Sequence, residues 1–465
     1  MSKFKPGPMP LPRPAMLRHP VTLPPRPLPP PPLATQTVVA PVATNAFQSF
    51  GFLMLCLYLV TPFLNDIFGH FFGFVPRLTL IPLGLLVLCT AFSGTVGRAL
   101  QAPLGRWWLG LFVLMLVSTL FSFWPGGSVA LLEDFVPKRY IVLFCVCAVQ
   151  ITVLQCVRFA YVNILPATLI LFLCFKYGTV SNTDGRFLID QSLFFDNSND
   201  LAIGLIMAAS GLLFVFFARG FLLKIIAAAE ITLCLLYILK TGSRGTFLAA
   251  LTAALFAMLF AKKRLLVMLL VPGILAALIT FVPAKTIQRL MTIVSDPEQE
   301  VAAGNAGGDV ESQLQREDLV KLSLKITSQH PLLGVGPGMF DNFVQQSAKQ
   351  TGKHMVSLNT HNAYTEISSE CGIPAFICYL ATIVLTIKYN YRMYRAFSKD
   401  PQKFDGRLAG IAFSGLIGGI AYAVASIFHH IGYGVDLSWL GGETLALWLA
   451  TQPLRSGVAS VARRV

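Results

Sequence analysis

The sequence predicts an all-α, polytopic membrane protein with about twelve transmembrane helices and one large periplasmic loop. Of the 465 residues, 55% are hydrophobic and only 12% are charged, whereas soluble domains carry about 25% charged residues. The hydrophobic residues occur in blocks, and about 20 such residues are enough for a helix to cross a bilayer. Lys and Arg concentrate in every second connection between the blocks, which is typical of loops retained in the cytoplasm.

The chain is expected to divide into five parts along this pattern. Residues 1–45 form a disordered, Pro-rich and basic cytoplasmic arm, and residues 46–283 hold transmembrane helices 1–9. The large periplasmic loop covers residues 284–361, helices 10–12 lie within residues 362–455, and residues 456–465 form a cytoplasmic tail. The predicted spans are 47–64, 78–95, 107–124, 140–156, 159–175, 200–218, 221–239, 244–261, 265–283, 372–390, 408–428 and 434–452.

Charge and cysteine usage restrict the function classes. Both termini are expected in the cytoplasm, with the chain in an inner membrane, because the basic connections lie on the side of the arm. The formal charge of +14 reflects this topology. It does not indicate nucleic-acid binding, because no basic patch interleaved with aromatic residues lies in a soluble domain. The nine cysteines fall within or at the edge of spans without a Cys-x-x-Cys pair, which indicates packed free thiols.

Unusual polar residues gather in the connections predicted to face outward. The turn Thr241–Thr246 carries Arg244 between two hydrophobic spans. Arg at such a depth usually faces a cavity or a partner, although a side chain that snorkels to lipid phosphate is the alternative. The Gly-rich segment His330–Gly338 predicts a tight turn that could approach a ligand closely.

The large loop is longer than an ordinary connection, and such loops are usually functional or disordered. Residues 316–330 predict an amphipathic helix on the outer surface, because Leu319, Leu322, Leu324 and Ile326 alternate with charged residues. A further helix that starts near Asn362 would place His361 at its entry. Glu366 and Glu370 would then share one face of that helix.

At these residues the chain resembles the O-antigen ligase and polymerase superfamily of bacterial envelope glycosyltransferases. The resemblance covers roughly residues 47–452 and leaves out the Pro-rich arm. Its motifs occur in a fixed order around one large outer loop. They are Asn199-Asp200-Leu201-Ala202, Gly242-Ser243-Arg244-Gly245, His330-Pro331-Leu332-Leu333-Gly334-Val335-Gly336-Pro337-Gly338, and His361-Asn362-Ala363-Tyr364 followed by Glu366, Glu370 and Gly372.

The resemblance implies transfer of a glycan from undecaprenyl diphosphate to an acceptor hydroxyl at the periplasmic face, without a cofactor or a metal. Such a reaction needs cations around the leaving diphosphate and a base near the attacking hydroxyl, with inversion at the anomeric carbon. His361 is the candidate base, and Arg244 is the second catalytic candidate. The complete assignment is Arg186, Arg244 and Arg316 on the diphosphate, and Asn199, Asp200 and Glu366 as orienting or acceptor-binding residues.

One of the proposed diphosphate ligands has an alternative, and the histidines are ranked by their expected importance. Arg316 is placed as the Arg that opens the loop helix, with Arg289 as its substitute. Loss of His330, His429 or His430 is expected to do less than loss of His361.

Several alternatives stay open. The Asn199 motif favours an O-antigen or exopolysaccharide polymerase, which extends a glycan, over a ligase, which acts on lipid A core. Besides the bilayer, partners would be the lipid-linked glycan, its acceptor, and a chain-length regulator or a flippase. A twelve-helix secondary transporter is the rival from another class. A transferase that uses a polyprenyl monophosphate could employ Glu133 and Asp134, although this pair is more simply a solvated turn.

Overall fold

The structure is a computed structural model that describes residues 44–73, 77–181, 185–195, 197–260, 273–291, 308–350 and 360–455. Almost all of the predicted Pro-rich arm and the whole C-terminal tail lie outside the described residues, as does about half of the predicted ninth span. The described chain is mostly helical, at 80%.

The first half of the chain contributes ten α-helices and a small sheet. The helices are α1 (Ala46–Phe72), α2 (Leu80–Phe92), α3 (Pro103–Leu120), α4 (Pro125–Phe135), α5 (Val142–Val149), α6 (Val153–Val162), α7 (Ile164–Tyr177), α8 (Ser198–Leu212), α9 (Phe221–Thr241) and α10 (Arg244–Phe260). Short 3-10 helices cover Val96–Gln101 and Leu213–Phe217, and a π-helical turn covers Val136–Tyr140. Strands β1 (Gly178–Val180) and β2 (Phe187–Ile189) pair antiparallel, a feature that the all-α prediction did not include.

The second half of the chain contributes helices joined by non-helical connections in its described parts. Its labelled helices are α11 (Ala284–Met291), α12 (Gly308–Gln329), α13 (Phe340–Gln350), α14 (Ala363–Lys399), α15 (Gly406–Phe428), α16 (Asp436–Ala450) and α17 (Gln452–Arg455). Helix α14 is broken at Gly372, whose φ of 84° is not helical.

A polytopic membrane architecture is confirmed by the length and composition of the helices. Among the described residues, seven helical stretches are long and apolar enough to cross a membrane, and two shorter apolar helices, α2 and α10, accompany them. Their outer surfaces carry large apolar side chains such as Phe175 and Phe221, each 81% exposed, which suits contact with lipid. The count of twelve spans stays a prediction.

Two predicted boundaries differ from the structure. The predicted fourth span runs through residues 150–152, where the helix instead ends and α6 begins, because Thr152 and Gln155 form a capping box. The predicted tenth span starts at residue 372, whereas α14 starts at Ala363 and only bends at Gly372. Hydropathy marks where a helix becomes apolar, and it does not record where the helix begins.

Connections that the charge pattern assigns to one side of the membrane meet at one end of the helix bundle. Hydrogen bonds join them in pairs: His70 Nε2 to Asp190 O at 2.8 Å, Arg186 Nε to Thr241 O at 3.0 Å, Thr286 Oγ1 to Gly185 O at 3.2 Å, Ser118 Oγ to Leu333 O at 2.6 Å, and Gly432 N to Glu366 Oε2 at 2.9 Å. The other end is joined in the same way by Thr95 and Arg98, which donate to the carbonyls of Ala148 and Cys147. The alternation of connections is therefore consistent within the fold.

Candidate active site

His361 lies at the entry of helix α14, as the sequence predicts. Asn362 caps the helix, since its side chain accepts from the backbone N–H groups of Tyr364 at 2.9 Å and Thr365 at 3.1 Å. His361 itself has a φ of 49°, a left-handed conformation that is rare for a residue other than glycine. Such strained residues cluster at functional sites, where the surrounding structure holds them in place.

The surroundings of His361 keep its imidazole neutral. Burial lowers its pKa to about 4, and the positive charges of Arg316, His430 and Arg186 act in the same direction. Its ring lies 5.4 Å from the ring of His430, at an angle of 76°. Its Nδ1 atom is buried and has no hydrogen-bond partner within the described part of the chain. A neutral imidazole at neutral pH can accept a proton, as a general base must.

Arg186 links two of the predicted motifs. Its Nη2 atom donates to Asn199 Oδ1 at 2.6 Å, and its Nε atom donates to the carbonyl of Thr241 at 3.0 Å. Asn199 is in the first turn of α8, whereas Thr241 ends α9 directly before the turn that carries Arg244. The predicted residues Arg186 and Asn199 are therefore in contact, beside the start of α10.

Asp200 has a local contact in the same turn of α8. Its Oδ2 atom accepts from Asn197 Nδ2 at 2.8 Å, and Asn197 caps the helix. The position of Asp200 follows from this cap, beside Asn199.

Arg244 is the first residue of α10 and is only 9% exposed. The residues around it pack against the end of α15. A Cβ atom on Gly245 would lie 2.2 Å from the Cβ atom of Phe428. The hydroxyl of Thr246 lies 3.0 Å from Nε2 of His429, and the hydroxyl of Ser243 lies 3.5 Å from the same atom. Arg244 is thus embedded in protein, which disfavours the snorkelling alternative.

Arg316 does not open its helix, contrary to the sequence prediction. Helix α12 begins at Gly308 and places Arg316 in its interior. Residues 308–315 hold only two large apolar side chains, Val310 and Leu314, which are too few to define an apolar face, so the sequence pattern revealed only the second part of the helix. Arg316 is half-buried, and its charge lowers the pKa of His361. The substitute Arg289 lies in α11.

Helix α12 packs on the protein by one face. Leu319 and Ile326 are buried against Val335 and Phe340, whereas Leu324 is 54% exposed. The helix is therefore two-faced, as the sequence predicts, and its contact with the membrane surface stays a prediction.

The segment His330–Phe340, called the return segment below, is held by helix α14. Val335 and Gly336 donate from their backbone N–H groups to the carbonyls of Ser369 at 3.0 Å and Glu370 at 2.8 Å. Gly334 has a φ of 65°, and a Cβ atom there would lie 2.3 Å from the carbonyl carbon of Glu370. These glycines therefore allow a close approach to the chain's own backbone. The segment contacts helix α14 where the motif suggested a bound ligand.

The two glutamates of α14 bind different segments. Glu366 is 8% exposed, and its Oε2 atom accepts from the backbone of Gly432 at 2.9 Å. Glu370 accepts from the N–H groups of Gly338 at 2.7 Å and Phe340 at 3.1 Å, and from the hydroxyl of Tyr433 at 2.6 Å. Both carboxylates therefore tie neighbouring connections to the helix that His361 opens.

The sequence did not reveal that His429 and His430 lie beside the predicted site residues. Both lie between α15 and α16, yet the fold brings His430 beside His361 and His429 beside Thr246. The sequence did offer one indication that they belong to the site: two adjacent histidines lie in a short connection that is predicted to face outward. We call the six residues in this region the basic cluster: Arg186, Arg244, Arg316, His361, His429 and His430.

Two other sequence predictions concern acidic residues. Asp134 lies near the end of helix α4 instead of in a turn. It pairs with Lys138 and lies 3.5 Å from Arg139, and these side chains are about half exposed. No group of three or more His, Cys, Asp and Glu side chains is placed to hold a metal ion among the residues that the structure describes.

Comparison with known families agrees with this geometry. Residues 229–380 match a family described as O-antigen ligase. The matched segment includes Arg244, Arg316, His361 and Glu366, whereas Arg186 lies before it. No curated protein matches the chain. The match confirms the resemblance to the O-antigen ligase and polymerase superfamily, and it supports a role as a ligase- or polymerase-type envelope glycosyltransferase.

Proposed function

We propose that the protein transfers a glycan from undecaprenyl diphosphate to an acceptor hydroxyl at the periplasmic face of the bacterial inner membrane, as an O-antigen or exopolysaccharide polymerase does. One observation carries this proposal. Burial is the main cause of the lowered pKa of His361, and the positive charges of Arg316 and Arg186 act on it in the same direction, so an anion is favoured beside a base. A lipid diphosphate supplies such an anion, and a sugar hydroxyl supplies the proton.

Arg186, Arg244 and Arg316 are the proposed ligands of the diphosphate. A guanidinium group presents a planar fork of N–H donors that matches phosphate oxygens. Negative charge grows on the leaving oxygen as its bond to the sugar breaks, so donors that are already in place stabilise the transition state more than the ground state. Asn199 would hold the fork of Arg186, because its Oδ1 atom already accepts from Nη2 at 2.6 Å.

His361 is the proposed general base. It accepts the proton of the acceptor hydroxyl while that oxygen attacks the anomeric carbon from the face opposite the diphosphate. The bond between the anomeric carbon and the diphosphate oxygen breaks, undecaprenyl diphosphate leaves, and the anomeric configuration inverts. The donor would also strengthen this base, because a bound diphosphate offsets the positive charges that lower the pKa of His361.

Asp200 and Glu366 are proposed to orient the acceptor side of the site. Glu366 fixes the 429–435 connection through Gly432, and Asp200 lies beside Asn199 in the first turn of α8. The proposed mechanism uses no metal and no cofactor. The proposed topology keeps both termini in the cytoplasm and the large loop, residues 284–361, in the periplasm, where a flippase or a chain-length regulator would be a partner.

A ligase reaction on lipid A core is the second candidate function, since the matched family is described as O-antigen ligase. The two functions differ only in the acceptor. If the purified protein is a polymerase, it should join two lipid-linked repeat units into a dimeric glycan when this is the only substrate supplied. A ligase should react only when lipid A core is added.

The test of the shared chemistry is transfer by purified protein in nanodiscs, with released undecaprenyl diphosphate as the readout. His361→Ala should lower turnover at least a hundredfold, because a positioned base contributes about 10²- to 10⁴-fold. His330→Ala is the matched control, since His330 is exposed and its ring lies 5.6 Å from the ring of Phe343, away from the basic cluster. Near-normal turnover by His361→Ala would show that another group is the base.

A further inference from the structure

His429 links the turn that carries Arg244 to the connection that reaches His361. Its side chain is 3% exposed. On one side, its Nε2 atom is within hydrogen-bond distance of Thr246 at 3.0 Å and Ser243 at 3.5 Å. On the other side, the next residue along the chain, His430, places its ring 5.4 Å from that of His361. His429 therefore contacts the residues that flank Arg244, and its neighbour contacts the proposed base.

We infer that His429 is a positioning residue that holds Arg244 on the donor diphosphate. This inference rests on the proposed function, because it assumes that Arg244 binds the donor. It assigns His429 no contact with substrate and no proton transfer.

The packing leaves little freedom for the start of α10. Ser243 and Thr246 enclose Arg244 in the sequence, and their hydroxyl groups lie 3.1 Å apart beside the same imidazole. On the next residue, Gly245, an added Cβ would lie 2.2 Å from the Cβ of Phe428 and 3.1 Å from Nε2 of His429. Helix α10 therefore begins in direct contact with residues 428–429. A displaced His429 would move the first turn of α10, and Arg244 is part of that turn.

A neutral imidazole suits this role. Burial and the nearby charges of Arg316 and Arg186 hold the pKa of His429 well below its usual range. The neutral ring adds no positive charge to the cluster, and Nε2 can serve as a hydrogen-bond partner for a hydroxyl. The amide of Gln can offer a polar atom at a similar distance from the backbone, whereas Leu fills a similar volume without one.

Simple packing is the competing explanation, and a double-mutant cycle separates the two. If His429 acts through Arg244, its loss should matter only while Arg244 is present. If it merely packs the end of α15, its effect should be the same with or without Arg244.

The experiment measures the affinity of the full-length protein in nanodiscs for undecaprenyl diphosphate. Arg244→Ala should weaken binding about a hundredfold, with Arg186 and Arg316 supplying the residual affinity. His429→Leu should weaken it about tenfold, because a small misplacement of a ligand-binding group is costly. The double variant should bind as Arg244→Ala does, within about twofold. His429→Gln should restore most of the affinity, and Thr246→Val should reproduce the His429→Leu loss.

Each contrary result has its own meaning. Losses that multiply in the double variant would overturn the positioning role of His429 and leave the proposed function intact. Undiminished binding by Arg244→Ala would overturn the donor role of Arg244, and the inference with it. If His429→Leu does not accumulate as folded protein, Thr246→Val and His429→Gln carry the test, and unchanged affinity in Thr246→Val would contradict the inference.

Discussion

The return segment and the basic cluster both come from motifs around the large loop. They differ in how their polar and charged groups are arranged. In the return segment, backbone N–H groups meet carbonyls and the carboxylate of Glu370, so the polar groups satisfy one another. In the basic cluster, burial and nearby positive groups lower the pKa of the imidazoles of His361 and His429. The first region stabilises the fold, whereas the second concentrates positive charge that suits an anionic ligand.

This difference shows that a sequence motif alone does not tell whether its residues stabilise the fold or take part in the reaction. The Gly-rich motif of the return segment resembles a ligand-binding turn in the sequence, but its close contacts are to α14. The turn around Arg244 is shorter and less conspicuous. Substitutions in the return segment should therefore reduce stability more than rate, and substitutions in the basic cluster should reduce rate more than stability.

The largest effect is expected for Gly334→Ala. Its φ of 65° and the 2.3 Å approach to the backbone of Glu370 leave no room for a methyl group. Left-handed strain and overpacking together should cost about 4 kcal/mol, which should lower the unfolding temperature strongly and reduce the yield of folded protein. Gly94→Ala is the matched control, because Gly94 has a φ of 73° but no neighbour within 4 Å. Thermal unfolding in detergent measures both, and equal losses would contradict the packing explanation.

A smaller loss of stability is expected for Glu370→Gln. The amide keeps one acceptor oxygen but faces the remaining donors of Gly338, Phe340 and Tyr433 with an NH₂ group. The free energy of unfolding should fall by about 2 kcal/mol. Glu317→Gln removes an exposed ion pair with Lys321 and should change it by less than about 1 kcal/mol. If Glu370→Gln instead keeps its unfolding temperature and loses turnover, Glu370 belongs with the chemistry.

The sequence predicted local features of the site and missed the contacts between distant segments. His361 at a helix entry follows from the expected helix start near Asn362, and the order of spans follows from hydropathy. The position of Arg316 was wrong because the start of α12 has too few apolar residues to define a face. His429 and His430 were ranked low because only tertiary packing of α15 against α10 and α14 brings them to the cluster.

The pH dependence of the kinetics offers a finer test of the positive charge around His361. In the free enzyme, His361 has a pKa of about 4, so the neutral base is present above that pH and is lost as pH falls through it. The acid limb of kcat/KM should therefore lie near 4 instead of about 6.5, the usual value for His. The acid limb of kcat should lie higher, because bound diphosphate offsets the arginine charges.

Arg316→Gln is the companion variant for this profile. It removes one of the charges that lower the pKa of His361, so the acid limb of kcat/KM should move upward. A limb that is identical in both proteins would argue that Arg316 is remote from the base.

The most direct test of the central claim, that the arginines of the basic cluster bind the donor diphosphate, is the steady-state kinetics of Arg244→Lys. Lys keeps the charge but lacks the planar fork, so kcat should fall about a hundredfold, by more than KM rises, with an unchanged unfolding temperature. Arg158→Lys, at an exposed position in α6, should behave as wild type. Wild-type kinetics in Arg244→Lys would mean that Arg244 supplies only charge or anchoring, and would contradict the diphosphate site proposed for this cluster.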